Sequence, residues 1–296
     1  MPRDRWAEWV LSRRFGGERP PDLGPLAQVR DRVLDRAGLQ EGETLLDVGC
    51  GDGLIAFGAL ERGAGRVVFS DVSQDLLDVS RELAADDPRC EFVRAAAEDL
   101  EPVGDASVDV VTTRSVIIYV TDKRRAFAEF FRVLRDGGRL SMFEPINRFS
   151  FPEPEGRFLG IDMGDAWPLA RRVRERYDEL SGGDGAMLDF DERDLLELAH
   201  DAGFASAQVE LEAAIEQGRL WGREPPPLDK LLRSAPNPNA PTFQELLDAE
   251  LSAQEQAQLL AHLRPRYESG ALTSRHAVAY LRAEKTSATP TPWPET

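Results

Sequence analysis

The sequence predicts an α/β fold built on a doubly wound parallel sheet, and three observations carry that reading. Short apolar runs alternate with helical patterns between Leu26 and Phe143, as strands and crossover helices do. A glycine-rich turn, Gly49-Cys50-Gly51-Asp52-Gly53, stands where the first of those runs meets the helix after it. Turn residues punctuate each change of period, at Gly38, Gly42, Gly63-Ala64-Gly65 and Gly137-Gly138.

The elements follow in order. A helix at Leu26–Ala37 leads into a strand at Thr44–Val48, and a helix at Leu54–Glu61 ends in the turn 63–65. The strand Arg66–Ser70 comes next, and Ser73 is placed to cap a helix running to Ala85. Strands are expected at Glu91–Arg94 and Val108–Thr112. Thr121 or Asp122 caps a helix in which Phe127, Phe130, Phe131 and Leu134 keep i, i+3, i+4, i+7 spacing. The glycine pair stops it before a fifth strand at Arg139–Phe143.

After Glu144 the rhythm breaks. Residues 147–189 read as an insertion with one helix at Pro168–Leu180; the core resumes over 190–212 with a helix at Glu192–Ala202 and a strand at Ala205–Glu212. A second, largely helical insertion spans 213–274 and holds the run APNPNAP at 235–241, expected to connect two short helices. The last strand is His276–Ala283, within a closing core segment 275–285, and the Pro/Thr-rich tail 286–296 is expected to be disordered. Residues 1–25 form an N-terminal helical cap and 26–146 the main core. That makes seven strands.

Composition narrows the function. Of 296 residues, 36 are Lys or Arg and 53 are Asp or Glu, a net charge of −17. Nucleic-acid and anionic-membrane binders need clustered basic residues, so both partners are disfavoured. The N-terminal MPRDRWAEWV holds no long apolar region and the longest apolar stretch, Val116–Val120, is too short to span a bilayer. A cytoplasmic protein is expected. Cys50 and Cys90 have no metal-ligand spacing and read as reduced thiols, and no metal site is expected.

The stretch LLDVGCGDGL, 45–54, carries the chemistry. Glycines there let the chain turn sharply and let a ligand touch the backbone at the carboxyl edge of the sheet. A phosphate-binding P-loop needs a Lys after the last glycine, and Leu54-Ile55 supplies none. A dinucleotide fingerprint needs G-x-G-x-x-G, whereas Gly49, Gly51 and Gly53 give G-x-G-x-G. Asp47 and Asp52 would repel a pyrophosphate held at a helix N-terminus. They suit a cationic ligand without phosphate, and S-adenosylmethionine, with its ammonium, sulfonium and ribose, is one. Asp71, which closes the second strand, stands where a carboxylate can accept hydrogen bonds from both ribose hydroxyls.

The pattern D-x-G-x-G-x-G, followed by a strand ending in Asp, resembles the class I S-adenosylmethionine-dependent methyltransferases. AAAEDLEP (95–102) is similar to that family's adenine-side segment, SVDVVTTRSVIIYV (107–120) to its fourth strand and loop, and FFRVLRDGGRLSMFEP (130–145) to the helix and fifth strand after it. The resemblance implies a Rossmann-like, seven-stranded, mostly parallel sheet whose last strand is antiparallel, with helical lid insertions. It implies S-adenosyl-L-methionine as cofactor, held by Asp47, Gly49, Cys50, Gly51, Gly53, Asp71, Val72, Ala97, Glu98 and Arg114. One departure stands out: Ala96 replaces the usual acid, which leaves Glu98, Asp99 or no side chain at all for the adenine amino group.

Methyl transfer from a sulfonium is an in-line displacement that needs alignment and water exclusion more than a catalytic base, so no catalytic residue is assigned. Tyr119, Glu144, Asn147 and Arg148 are expected to line the acceptor pocket. Trp6 and Trp9, three apart on a helix, either pack on the sheet edge or cover the cofactor. His200 and His262 read as ordinary helical residues, and His276 as a base only if its end of the strand faces the pocket. The loop TTRSVI lacks the Asn/Asp-Pro-Pro-Tyr of methyltransferases acting on nucleobase and glutamine amino groups, which points to a small-molecule acceptor. The alternative is a protein that binds S-adenosylmethionine or S-adenosylhomocysteine in a regulatory, non-methylating role. The insertion 213–274 is expected to be a lid that buries its apolar residues on the sheet's carboxyl edge or on the preceding insertion.

Overall fold

A computed structural model of the chain describes residues 3–15, 24–181 and 185–286. The tail beyond Thr286 and residues 16–23 of the N-terminal cap lie outside the described residues. The chain divides into two compact units, the first formed by Met1–Glu144, Glu192–Leu211 and Ala279–Thr296, the second by Pro145–Asp191 and Glu212–Val278.

Seven strands make one sheet: β1 (Thr44–Val48), β2 (Arg66–Asp71), β3 (Cys90–Arg94), β4 (Val108–Arg114), β5 (Leu134–Pro145), β8 (Ser206–Gln217) and β9 (Thr273–Glu284). A two-residue hairpin elsewhere supplies β6 (Arg157–Phe158) and β7 (Ile161–Asp162). The order across the sheet is β3-β2-β1-β4-β5-β9-β8. Strands β1 to β5 pair in parallel, with Asp47 opposite both Phe69 and Thr112. Gly137 donates to the Lys285 carbonyl whereas Ile146 donates to that of Ala277, so β9 runs against β5. The order reverses between β1 and β4, and such a switch point opens a crevice at the strands' carboxyl ends.

Burial explains why these segments form strands. All five residues of β1 are buried, as a central parallel strand requires. Phe69 of β2 stacks on Phe92 at 4.8 Å and meets Phe57 edge-on at 5.2 Å. The helices of this unit are α1 (Arg5–Phe15), α2 (Gly24–Ala37), α3 (Leu54–Glu61), α4 (Gln74–Ala84), α5 (Lys123–Val133) and α8 (Glu192–Ala202). Ser73 caps α4 by accepting the Leu76 N–H, and Asp122, not Thr121, caps α5 by accepting that of Arg125. The fifth strand starts earlier than its periodicity suggests. Leu134 is already extended and pairs with Val108, and the register then shifts between Val108 and Val110. A side chain at Gly138 would meet the Arg135 carbonyl at 2.8 Å, so the glycine pair passes a bulge inside the strand instead of ending a helix. The last two strands are likewise longer than the 205–212 and 276–283 expected.

The second unit holds α6 (Asn147–Ser150), α7 (Trp167–Ser181), α9 (Leu228–Leu232), α10 (Phe243–Glu250) and α11 (Ala253–Glu268), and the last four of these surround one apolar core. Phe158, Ile161, Met163 and Val173 come from the first insertion, Leu228, Leu247, Leu259 and Leu263 from the second. Phe243 stacks on Tyr177 at 4.5 Å. The apolar residues of 213–274 therefore rest on the preceding insertion, the second of the two surfaces expected for them. Trp221, 49% exposed and stacked on His276, and the exposed Ile215 are exceptions. The 235–241 run connects α9 to α10, held by Asn237, whose side-chain oxygen accepts the N–H groups of Asn239 and Ala240. Capping boxes start α10 (Thr242, Glu245) and α11 (Ser252, Glu255).

Because Leu259 is fully buried in the shared core, Leu259→Ala should cost about 2–5 kcal/mol. Native-state hydrogen exchange should show protection falling in α7 as well as in α10 and α11. A loss confined to residues 213–274 would show that the two insertions do not share a core.

Candidate functional site

The glycine loop leaves β1 with its first N–H intact: Cys50 donates to the Ser70 carbonyl at 2.9 Å. Its three glycines have left-handed φ values of 66°, 57° and 83°, yet they differ in what surrounds them. A Cβ on Gly49 would stand 2.4 Å from Cγ2 of Val116, and one on Gly53 2.5 Å from the Phe57 ring. A Cβ on Gly51 would meet nothing within 4 Å. Gly49 and Gly53 are therefore bare so that the chain can pack on itself, while Gly51 turns a bare face to open space. Only the second condition suits a ligand.

Two acids frame this loop. Asp47 is buried, with one oxygen accepting the Thr112 hydroxyl at 2.8 Å and the other the Ala56 N–H at 3.2 Å. Burial pushes its carboxyl up to about 7, against the opposing pull of those two bonds and of Arg114. Asp71 accepts the Gly51 N–H on one oxygen and the Ser73 N–H on the other, both at 2.9 Å. Each carboxylate oxygen has a second acceptor position, so these bonds leave Asp71 with capacity for further donors. Burial raises its carboxyl as well. The Cys50 thiol is pushed up by burial and by the surrounding Asp71, Asp47 and Asp52, which keeps it protonated and unreactive. Both cysteines are free.

Beyond Asp71 lies a cavity of about 410 Å³, bordered by Val72, Arg94, Ala95, Ala96, Asp99, Glu101 and Pro102. Val72 is 47% exposed, an apolar side chain offered to the cavity. Ala97 is buried, and the Asp99 N–H closes a turn onto the Ala96 carbonyl. Of the two acids that the sequence leaves open for the adenine amino group, Asp99 borders the cavity and Glu98 does not.

Arg114 ends β4 half-buried, and its charge acts on both Asp47 and Glu144. Glu144 departs from expectation. It is fully buried, and its two oxygens accept the N–H groups of Val116, Ile117 and Ile118 at 2.9, 3.0 and 3.4 Å. A carboxylate enclosed in this way lines no acceptor pocket; it holds the loop after β4. Tyr119 lies on that loop and packs edge-on against Trp6 at 5.0 Å and Trp9 at 6.4 Å. The two tryptophans thus meet the β4 loop and not the sheet edge, while Ala7 and Leu11 of α1 bury against Leu76 and Val79 of α4. Asn147 and Arg148 fall in the second unit, Asn147 buried at the start of α6 and Arg148 paired with Asp191 at 3.7 Å.

Sequence reasoning missed two supports of the loop. Ser80 is buried and donates to the Gly51 carbonyl at 3.1 Å. Its signal was a serine on the apolar stripe of α4, among Leu76, Leu77 and Val79. Asp4 accepts the Ser73 hydroxyl at 2.6 Å and caps α1 through the Ala7 N–H. Among the described residues no group of His, Cys, Asp and Glu is arranged to hold a metal ion.

Residues 46–142 match a family model described as a methyltransferase domain. A protein of transposon TN4556 from Streptomyces fradiae is 34% identical over 182 residues, covering 60% of this chain and 48% of that one. The ubiquinone/menaquinone biosynthesis C-methyltransferase UbiE of Cronobacter sakazakii is 32% identical over 165 residues, 50% of this chain and 65% of that one. UbiE of Klebsiella pneumoniae is 31% identical over 188 residues, covering 59% of this chain and 71% of the relative. The chain thus spans about half to two thirds of the length of the first two. Among solved structures, the YcgJ protein of Bacillus subtilis superposes with a TM-score of 0.54 at 15% identity, covering 88% of this chain and 99% of that one. Phosphoethanolamine N-methyltransferase 2 of Haemonchus contortus, in complex with S-adenosyl-L-methionine, gives 0.54 at 18%, covering 96% and 57%. Likeness at such identity concerns the fold.

With the glycine loop, the strand-end acid and these relatives in view, the chain belongs to the class I S-adenosylmethionine-dependent methyltransferases. Its cofactor is S-adenosyl-L-methionine, and the residues present fit it. Gly51 is open, Asp71 has acceptor positions left, Val72 offers an apolar surface, and buried acids surround the loop.

The glycines separate by experiment. Gly49→Ala should destabilise the fold by roughly 2–5 kcal/mol through backbone strain and overpacking on Val116. Gly51→Ala should cost about 1 kcal/mol of stability and weaken cofactor binding about tenfold. Equal melting temperatures for the two variants would contradict the assignment. A second expectation concerns pH. Asp47 titrates higher in the fold than in the unfolded chain, so the stability it contributes is complete below about pH 4 and is lost as pH rises through about 7. Between pH 5 and 8 the wild type should lose more stability than Asp47→Asn, and parallel curves in urea titrations would refute this.

Proposed function

We propose that the chain transfers a methyl group from S-adenosyl-L-methionine to a small-molecule acceptor. The observation that carries the proposal is the pairing of the open Gly51 face with Asp71, which accepts that glycine's own N–H. Asp71 accepts the ribose hydroxyls, Val72 lies against the adenine face and Asp99 receives its amino group, within the cavity that Val72 and Asp99 border. Asp47 and Arg114 serve the methionine end, Asp47 facing the ammonium and Arg114 the carboxylate. Gly49, Cys50 and Gly53 shape the loop between them. The bound cofactor supplies an electrophilic methyl on a charged sulfur, so the chain's task is to orient the acceptor's nucleophilic atom in line and to exclude water.

A small acceptor is supported by the net charge of −17 and by the TTRSVI loop, neither of which suits a nucleic-acid substrate. Among the described residues no helix is long and apolar enough to cross a membrane. Together with the paucity of cysteine, this supports a cytoplasmic site of action. Asn147 and Arg148, which follow β5 in the chain, are assigned to the acceptor.

Two measurements test the reading. Calorimetry should show S-adenosyl-L-methionine binding to the wild type and at least ~10-fold weaker binding to Asp71→Asn, since charge-assisted hydrogen bonds are worth about 1.5–3 kcal/mol each. Incubation with methyl-labelled cofactor and a metabolite extract should yield a labelled small molecule. Tight binding with no labelled product would favour the regulatory, non-methylating alternative.

A further inference from the structure

The turn after β4 has no capping side chain of its own. Ser115 is left-handed at φ 57°, Val116 begins a single 3₁₀ turn over Ile117–Tyr119, and the backbone N–H groups of residues 116–118 point inward with no partner on their own segment. The partner arrives from a neighbouring strand. Glu144, near the end of β5, brings a fully buried carboxylate whose Oε1 accepts from Val116 and Ile117 and whose Oε2 accepts from Ile118. The Thr113 hydroxyl lies 3.5 Å from Oε1. Lys123, itself buried, donates its ammonium to the Val120 carbonyl at 2.8 Å and closes the far end of the turn.

A buried carboxylate costs several kcal/mol in lost hydration and persists only where donors compensate it. An apolar residue would fill this space without that cost. What the carboxylate adds is a fixed position for three amides, and this turn is the wall on which the glycine loop rests. Cγ2 of Val116 packs so close to Gly49 that a Cβ there would collide with it, so outward movement of the turn removes the support from Gly49. The same turn presents Tyr119 to Trp6 and Trp9 of α1.

We infer that Glu144 is a positioning residue of the methyl-transfer site: it builds the 116–119 turn from the neighbouring strand, and through Val116 the turn sets the glycine loop. The assignment rests on the proposed methyl transfer for its purpose, but the mechanical link from Glu144 to Gly49 is independent of the acceptor.

The test compares the wild type with Glu144→Gln and Val116→Ala. Glutamine keeps the size of the side chain but sets an N–H donor against the amides, so exchange of the 116–118 amides should accelerate at least ~10-fold relative to β1 and β2. The dissociation constant for S-adenosyl-L-methionine should rise about tenfold. Val116→Ala leaves the carboxylate and its bonds in place and should weaken binding without accelerating the Ile117 and Ile118 amides. The double variant should bind no worse than Glu144→Gln alone, because the two residues act in series. Wild-type exchange and affinity in Glu144→Gln would overturn the inference, as would full additivity in the double variant. Should Glu144→Gln fail to fold, unchanged affinity in Val116→Ala would overturn it equally. A wild type that binds no cofactor would instead defeat the methyltransferase reading, with the amide exchange of Glu144→Gln still deciding the mechanical link.

Discussion

One carboxylate joins the parts of the cofactor unit. Asp71 holds the Gly51 N–H with one oxygen and the Ser73 N–H with the other, which ties the loop after β1 to the loop after β2. The connection continues outward. Ser73 caps α4 and gives its hydroxyl to Asp4, which caps α1, so two helix starts and a glycine turn are registered on one strand end. Helix caps are each worth about 1 kcal/mol, which is enough to fix orientation when several act in series. The glycine loop owes its shape to this chain of acceptors as much as to its own residues.

Burial of acid is the second constraint. Asp47 and Glu144 are both pushed up to about 7 by desolvation, and Asp71 is also raised, in a chain that already carries a large negative excess. The charge of Arg114 reaches both Asp47 and Glu144. A cationic ligand entering beside these groups lowers their repulsion, whereas an anionic one adds to it. The electrostatics and the bare face of Gly51 therefore select for the same kind of molecule.

How much of this could be read from residues alone depends on the range of the interaction. The strands of the parallel core announce themselves because each is buried on both faces and reads as a continuous apolar run, as in β1. Asp71 and the glycines stand out in the sequence because strand ends and tight turns mark their positions. Glu144 was misread because an acid just past a strand looks the same whether it points to solvent or inward, and its donors lie more than twenty-five residues away in sequence. The meeting of Trp6 with Tyr119 is equally invisible to local periodicity. Edge strand β8 was underestimated since its exposed residues, including Leu211 and Ile215, give no clean alternation to mark its end.

The shared core of the second unit has a consequence for how the chain is made. Val173 emerges from the ribosome roughly 90 residues before Leu263, its companion in that core, which corresponds to on the order of 5–20 s at ordinary synthesis rates. Throughout that interval Phe158, Ile161, Met163 and Val173 lack the helices that cover them, while β1 to β5 already have all their partners from β1 to β5. The nascent chain thus carries five of the seven strands together with an uncovered apolar segment, and its window for chaperone engagement opens at the first insertion and closes when α11 is complete.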